Sequence, residues 1–251
     1  MAEPAEAGGD RLPSQTVKAV LALRDFLLEG RLGPGERVSE LGMVEQLGVS
    51  RTPVRAALAR LAEEGLLEAI PTGGYAVRSF SEAEVFAAIE IRGTLEGLAA
   101  RLAAERGAGP SELRGLAACL DGIDEALRPG VDDVSRYVEL NAGFHAALAE
   151  LAGSQTLVRQ LDRVLVLPFA SPSALVRMQS SSPEAHRILA VAQDQHRCVL
   201  DAITRCEGAR AEAIMREHAR LARRNLERAF GDRRMLELVP GSALIRRRDR
   251  A

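Results

Sequence analysis

The sequence predicts a mainly α protein: an N-terminal winged helix-turn-helix with a small β-hairpin wing, then a C-terminal antiparallel bundle of about six helices. Three observations predict it. Three short helical segments joined by glycine turns fill the stretch from Ser14 to Gly65. Two apolar runs then flank Thr72-Gly73-Gly74, the pattern of a hairpin. After Ser81 strand signals stop, and helical patterning is interrupted only by Gly, Pro and Ser clusters. The domain division expected is a loose tail at 1–11, the winged domain at 12–79, the helical domain at 80–232 and a basic tail at 233–251.

Each element has its own signal. Val17, Val20, Leu21, Leu23, Phe26 and Leu27 recur at helical spacing and stop at Gly30. Arg31 to Glu36 is a turn-rich connector. A short helix runs from a Ser39 cap to Leu47, and Gly48-Val49 turns the chain. Ser50 is placed to cap a third helix reaching Glu64, with Pro53 in its first turn, where a missing N–H costs little. Gly65 ends that helix. Two helices joined by a short glycine turn and followed by a hairpin make the winged motif. Beyond Ser81, breaks at Gly107–Pro110, Pro129–Gly130, Gly153-Ser154, Pro168–Pro172, Ser180–Pro183 and Gly208 partition the rest into helices.

Composition narrows the function classes. The chain has 251 residues, 47% hydrophobic and 27% charged, enough to bury real cores. Aromatics are only 3%, so the cores are packed with Leu, Ala and Val. A formal net charge of −2 excludes a generally basic nucleic-acid coat; any DNA contact must come from a local patch. Lys18 is the single lysine among 33 basic residues, so arginine abundance says nothing and only arginine placement counts. No apolar run of membrane-spanning length occurs. Cys119, Cys198 and Cys206 form no CxxC pair, which fits a reducing cytoplasm better than a disulfide or zinc framework.

Placement is informative in the third helix. From Ser50 to Leu61 it carries Arg51, Arg55 and Arg60 and no acid. Val54, Ala57, Leu58 and Leu61 form an apolar stripe, while Arg51, Thr52, Arg55, Ala56 and Ala59 lie opposite. A helix docked by one face and offering Arg and Thr on the other suits the major groove, where Arg forks reach guanine or phosphate. Arg60 falls off that face and suits a phosphate or intramolecular contact. Most charged helix faces are merely solvated; the following Gly-Gly hairpin is what raises the odds here.

Val49-Ser-Arg-Thr-Pro-Val-Arg55, with Ala57-Leu58, Leu61 and Glu64-Gly-Leu66, resembles the recognition-helix signature of the GntR family of transcriptional regulators. The residues after 80 resemble the ligand-sensing domain of its FadR-like branch. The resemblance implies DNA contacts at Ser50, Arg51, Thr52 and Arg55 and at the wing residues Thr72, Gly73 and Gly74. Where the family commonly has Glu after the second Arg, this chain has Ala56, which removes a possible partner for a nearby Arg.

The histidines leave two readings on residues alone. Asn141 and His145 share a helix face at i, i+4, and His196 and His218 lie on two later helices. Lone histidines on helices are usually ordinary core or surface residues, and no His-x-x-x-His pair is present. The resemblance shifts the balance, because Leu140–His145, Gln195–Arg197 and Met215–Ala219 look like three metal-binding segments of the family's sensor domain. It implies Asn141, His145, His196 and His218 as ligands of a divalent ion, zinc, nickel or manganese, with Asn standing where the family often has Asp. His186 matches no ligand position and reads as a surface residue. Arg92 resembles a pocket-lining Arg that pairs with the carboxylate of a small effector; its alternative is an intrahelical pair with Glu96. Val164–Pro172, apolar and proline-broken, is expected over that pocket.

These readings converge on a cytoplasmic homodimeric regulator, a repressor of operator double-stranded DNA released by a small carboxylate, with no membrane partner. Two rivals remain at this point. A metal-dependent helical-bundle enzyme would need Glu-x-x-His motifs or a nucleophile constellation, and neither accompanies His145, His196 or His218. A purely structural bundle would use the histidines as core residues.

Overall fold

The Ser14 hydroxyl accepts from the Val17 amide and starts helix α1, Gln15–Leu28, whose Ala19, Leu23 and Leu27 are buried. The structure, a computed structural model, describes residues 14–131, 133–174 and 183–246. The expected tail at 1–11 lies outside them. The chain divides into two units after Arg78.

In the first unit, α2 spans Glu40–Leu47 with the Ser39 hydroxyl accepting from Gly42 N, and α3 spans Arg51–Glu63. Gly48 joins them at φ 64°, a left-handed conformation that a side chain would strain. Strands β2 (Leu67–Ala69) and β3 (Tyr75–Val77) form the expected hairpin, paired Leu67 to Val77 and Ala69 to Tyr75. A strand the sequence did not announce, β1 at Arg37–Val38, adds to the other edge of β3, so the sheet order is β1-β3-β2. Turn residues on both sides of Arg37 hide it: two residues are too few to show alternation. Glu64 clamps the unit, receiving Arg24 from α1 at 2.6 Å and Arg60 at 2.8 Å. Arg60 is thus the intramolecular contact of the two options its position allowed.

The second unit begins with β4 (Phe80–Ser81), where Ser81 and Glu84 form a reciprocal capping box for α4, Glu82–Arg106. Helices α5 (Pro110–Ala126), α6 (Val134–Leu151), α7 (Gln155–Leu165), α8 (Pro183–Thr204) and α9 (Gly208–Gly231) complete the six long helices expected. Leu116, Leu120, Ile123, Tyr137, Phe144, Leu148, Val199, Ile203 and Met215 form its main core. Gly93 and Gly97 let α4 lie against α9; a Cβ at Gly97 would stand 2.7 Å from Arg216 Cγ.

The segment expected as a tail from 233 is folded through residue 246. Helix α10 (Arg233–Glu237) and a 3-10 turn (Ser242–Leu244) lead to β5 (Ile245–Arg246), which pairs in parallel with β4. Leu236, Val239, Leu244 and Ile245 are buried. The arginine-rich end masks these apolar residues in a composition reading, yet their burial is what holds the segment down.

Candidate nucleic-acid interface and metal centre

Helix α3 divides as its periodicity required. Val54, Ala57 and Leu61 are fully buried and Leu58 nearly so, while Ser50, Arg51, Thr52, Arg55 and Ala56 are exposed. Ser50 occupies the N-cap position in extended backbone, but its side chain makes no capping bond. The expected hydroxyl cap is therefore not formed, and the first turn of α3 lacks that side-chain acceptor. Thr72, Gly73 and Gly74 are exposed at the wing tip, with Gly73 and Gly74 at φ 86° and 93°.

Between α2, α3 and the wing runs an open groove of about 760 Å³, lined among others by Ser39, Leu41, Arg55, Thr72, Gly73 and Gly74. Two charged residues that sequence reasoning passed over stand in it. Arg37 donates from Nη2 to the Gly73 carbonyl at 2.9 Å and ties β1 to the wing tip. Glu40 accepts from Arg55 Nε at 2.7 Å. An arginine in a turn-rich connector and an acid at a helix start carry no periodic signal, so neither was legible.

In the second unit His145 on α6, His196 on α8 and His218 on α9 converge, and their ligand nitrogens lie within 4.8 Å of one another. All three are buried, His196 completely. Asn141, one turn before His145, is also buried; it lines the same small cavity as His218 and donates from Nδ2 to Ser173 Oγ at 3.1 Å. The His186 side chain lies outside the described residues.

Neighbours fix the tautomers. His145 Nδ1 is 2.8 Å from Glu96 Oε1, and a carboxylate can only accept, so Nδ1 donates and Nε2 is the ring nitrogen left on the side away from Glu96. Gln193 donates its amide to Leu120 O and Asp124 Oδ1, which turns its Oε1 toward His196 Nδ1 at 3.2 Å. His196 Nδ1 therefore donates, and because burial keeps this ring neutral its Nε2 is bare. That Nε2 stands 3.2 Å from His218 Nε2. Metal–imidazole bonds of about 2.0–2.1 Å place neighbouring nitrogens about 3.0–3.4 Å apart in tetrahedral or octahedral geometry, so the spacing suits two ligands of one ion. Among the described residues, His145 Nε2 and His218 Nδ1 are buried without a hydrogen-bond partner.

Charge in the cluster is ordered. Burial pushes the His196 and His218 imidazoles well below their ordinary range, and the neighbouring His145 pushes them further, so both are neutral near pH 7. Burial would raise the Glu96 carboxyl, but His145 and Arg92 outweigh it and hold Glu96 ionised. Arg92 is 1% exposed, lies 3.4 Å from Glu96 Oε2 and donates to the Ala170 carbonyl at 2.9 Å. Arg92 forms the intrahelical pair with Glu96 that is its alternative reading, and it also lines a small cavity. That cavity, of about 30 Å³, is bounded by Arg92, Tyr137, Asn141, Ile188, His218 and Leu221 among others. Pro172 lines it as well, which puts the end of the proline-broken stretch at its wall. Glu96 as the orienting partner of His145 was missed, because i, i+4 spacing pointed it only at Arg92.

The donor set of imidazoles, an amide and an orienting carboxylate fits a divalent cation.

Comparison with known proteins agrees with both units. Residues 9–77 match the model described as "Bacterial regulatory proteins, gntR family", and residues 87–221 match the FCD domain. A Paenarthrobacter nicotinovorans protein named "Probable D-xylose utilization operon transcriptional repressor" is 31% identical over 218 residues, covering 85% of this chain and 90% of that one. The Bacillus subtilis "Uncharacterized HTH-type transcriptional regulator YdhC" is 32% identical over 142 residues, 57% of this chain and 62% of that protein. Among solved structures E. coli McbR/YncC shares the fold with a TM-score of 0.62 at 22% identity, covering 88% of this chain and all of that one. Both sequence relatives carry names of transcriptional regulators. No helix among the described residues is long and apolar enough to cross a membrane. The chain belongs to the gntR family of bacterial regulatory proteins, with an FCD domain following its winged helix-turn-helix.

Proposed function

We propose that the protein is a ligand-responsive repressor that binds operator DNA through its first unit and a small carboxylate effector in its second. The observation carrying the DNA reading is the split of α3, with a buried apolar stripe opposite exposed Ser50, Arg51, Thr52 and Arg55. Arg55 and Arg51 reach base edges or phosphates from the major groove, and Thr72, Gly73 and Gly74 approach the neighbouring backbone. A homodimer on a pseudo-palindrome matches this geometry, with half-sites about one helical turn apart. Acting on operator DNA places the protein in the cytoplasm. The repressor sense is supported by the name of the Paenarthrobacter relative.

In the second unit Asn141, His145, His196 and His218 would hold a divalent ion, which supplies positive charge for an effector carboxylate. Arg92 adds a bidentate contact to that carboxylate once it exchanges part of its pairing with Glu96. Tyr137, Ile188 and Leu221 face the effector's body. The cavity has room for about one or two waters, so effector entry displaces lining side chains. That displacement couples the sites, because an effector shifts only those equilibria whose two states it binds unequally.

Selection of duplexes from a random library by the full-length protein tests the DNA reading. Wild type enriches a two-fold symmetric motif, and Arg55→Ala enriches one that has lost its preference at a position in each half-site; identical motifs from both refute it. Zinc titration of wild type and His196→Ala by calorimetry tests the ion site, and equal binding refutes that.

A further inference from the structure

Arg55 is exposed, with 68% of its side chain open to solvent, yet Glu40 holds its Nε at 2.7 Å. Glu40 is the first residue of α2 and lines the groove that Arg55, Thr72 and Gly73 also line. As a stabilising device the pair is poor, since exposed ion pairs are screened and cost side-chain entropy. As a partner for the N-terminus of α2, Glu40 needs no arginine.

What the pair does accomplish is orientation. A guanidinium offers its N–H groups along a planar fork. Glu40 occupies the Nε end, and among the described residues the Nη1 and Nη2 groups of Arg55 carry no bond. The outer edge is thereby presented as two parallel donors, the spacing that matches guanine O6 and N7. Arg51, one turn earlier on the same face, has no carboxylate partner among the described residues and is suited to phosphate, where orientation matters less. Glu40 also sets a negative charge in a groove that receives a polyanion, which lowers sequence-independent binding.

We propose that Glu40 is a specificity-determining, positioning residue: by bracing Arg55 it converts a mobile cation into a reader of one guanine in each half-site. The proposal rests on the DNA-reading function above.

The test is duplex selection from a random library with full-length wild type, Arg55→Ala, Glu40→Ala, Glu40→Gln and the Arg55→Ala/Glu40→Ala pair, followed by affinities for each base at every enriched position. Wild type prefers guanine by about tenfold or more at a position that Arg55→Ala leaves unread. Glu40→Ala cuts that preference below about threefold while other positions keep theirs, and its affinity for random-sequence duplex rises. Glu40→Gln, which retains an oxygen for Nε, recovers the preference, and the double variant is no weaker than Arg55→Ala alone. Glu40→Ala with an unchanged base profile, or with one common loss for all sequences and a lowered Tm, overturns the proposal. Arg55→Ala losing no base overturns it too. Wild type enriching no motif instead overturns the DNA-reading assignment and this proposal with it.

Discussion

Replacing Glu96 by Ala should damage stability and ion binding separately, and both sizes follow from its contacts. Glu96 is 2% exposed, accepts from His145 Nδ1 at 2.8 Å and stands 3.4 Å from Arg92 Nε. Removing one partner of a buried pair strands the other charge, at a cost of about 3–5 kcal/mol. For a chain of this length about 2–4 °C of Tm accompany each kcal/mol, so the fall should be roughly 6–20 °C. His145 also loses the acceptor that fixes its tautomer, and loss of such an outer partner weakens metal binding about 10–100-fold. At a free zinc concentration about 100 times the wild-type Kd, zinc stabilises wild type by about 2.7 kcal/mol. A site weakened about 100-fold would retain only about 0.4 kcal/mol under the same conditions. The assay is thermal denaturation with chelator and with zinc at fixed protein concentration, alongside calorimetric Kd values. Glu96→Gln keeps an acceptor for His145 and should show a smaller loss of zinc affinity than Glu96→Ala. If Glu96→Ala loses stability but keeps wild-type zinc affinity, Glu96 does not orient the cluster and the tautomer argument is wrong.

Asn141→Asp should raise zinc affinity by about tenfold or more, since a carboxylate is the better ligand for a divalent ion; an unchanged calorimetric Kd removes Asn141 from the ligand set. Arg51→Ala should reduce the slope of log affinity against log salt by about one on any duplex wild type binds; an unchanged slope takes Arg51 off the phosphates. Leu244→Ala should cost about 2–5 kcal/mol in urea denaturation, because that side chain is fully buried; a loss under about 0.5 kcal/mol would return residues 233–246 to the status of a tail. Burial holds the Tyr137 phenol above its ordinary range. An unfolded tyrosine ionises near pH 10 and folded Tyr137 only above it, so its contribution is intact below pH 10 and declines as pH rises beyond. Tm should fall between about pH 10 and 11 more steeply for wild type than for Tyr137→Phe, and matching curves would refute this.

How much of this was legible depended on range. Helix α3 could be read outright, since its stripe, its arginines and Pro53 all act within a few residues. The turn at Gly48 and the wing glycines are local for the same reason: their backbone conformations exclude most side chains whatever surrounds them. Among the described residues, the six helices α4 to α9 followed from punctuation alone, whereas the short α10 did not. The convergence of the histidine segments was legible only through family resemblance, because i, i+4 spacing brings Asn141 and His145 together but says nothing about His196 or His218.

Tertiary structure decided the rest, and each case involves partners far apart in sequence. Gln193 fixes His196 only because Leu120 and Asp124 hold its amide from another helix. Arg92 meets the Ala170 carbonyl 78 residues away. β1 and β5 are two-residue strands whose existence depends on the edge that receives them. Glu40 reaches Arg55 across the helix-turn-helix, a contact no periodicity encodes. Local patterning is enforced by the backbone within a turn or two, so sequence reports it. The pairing of polar groups across a core is enforced by the cost of leaving them unpaired, and that cost is defined only once the helices have packed.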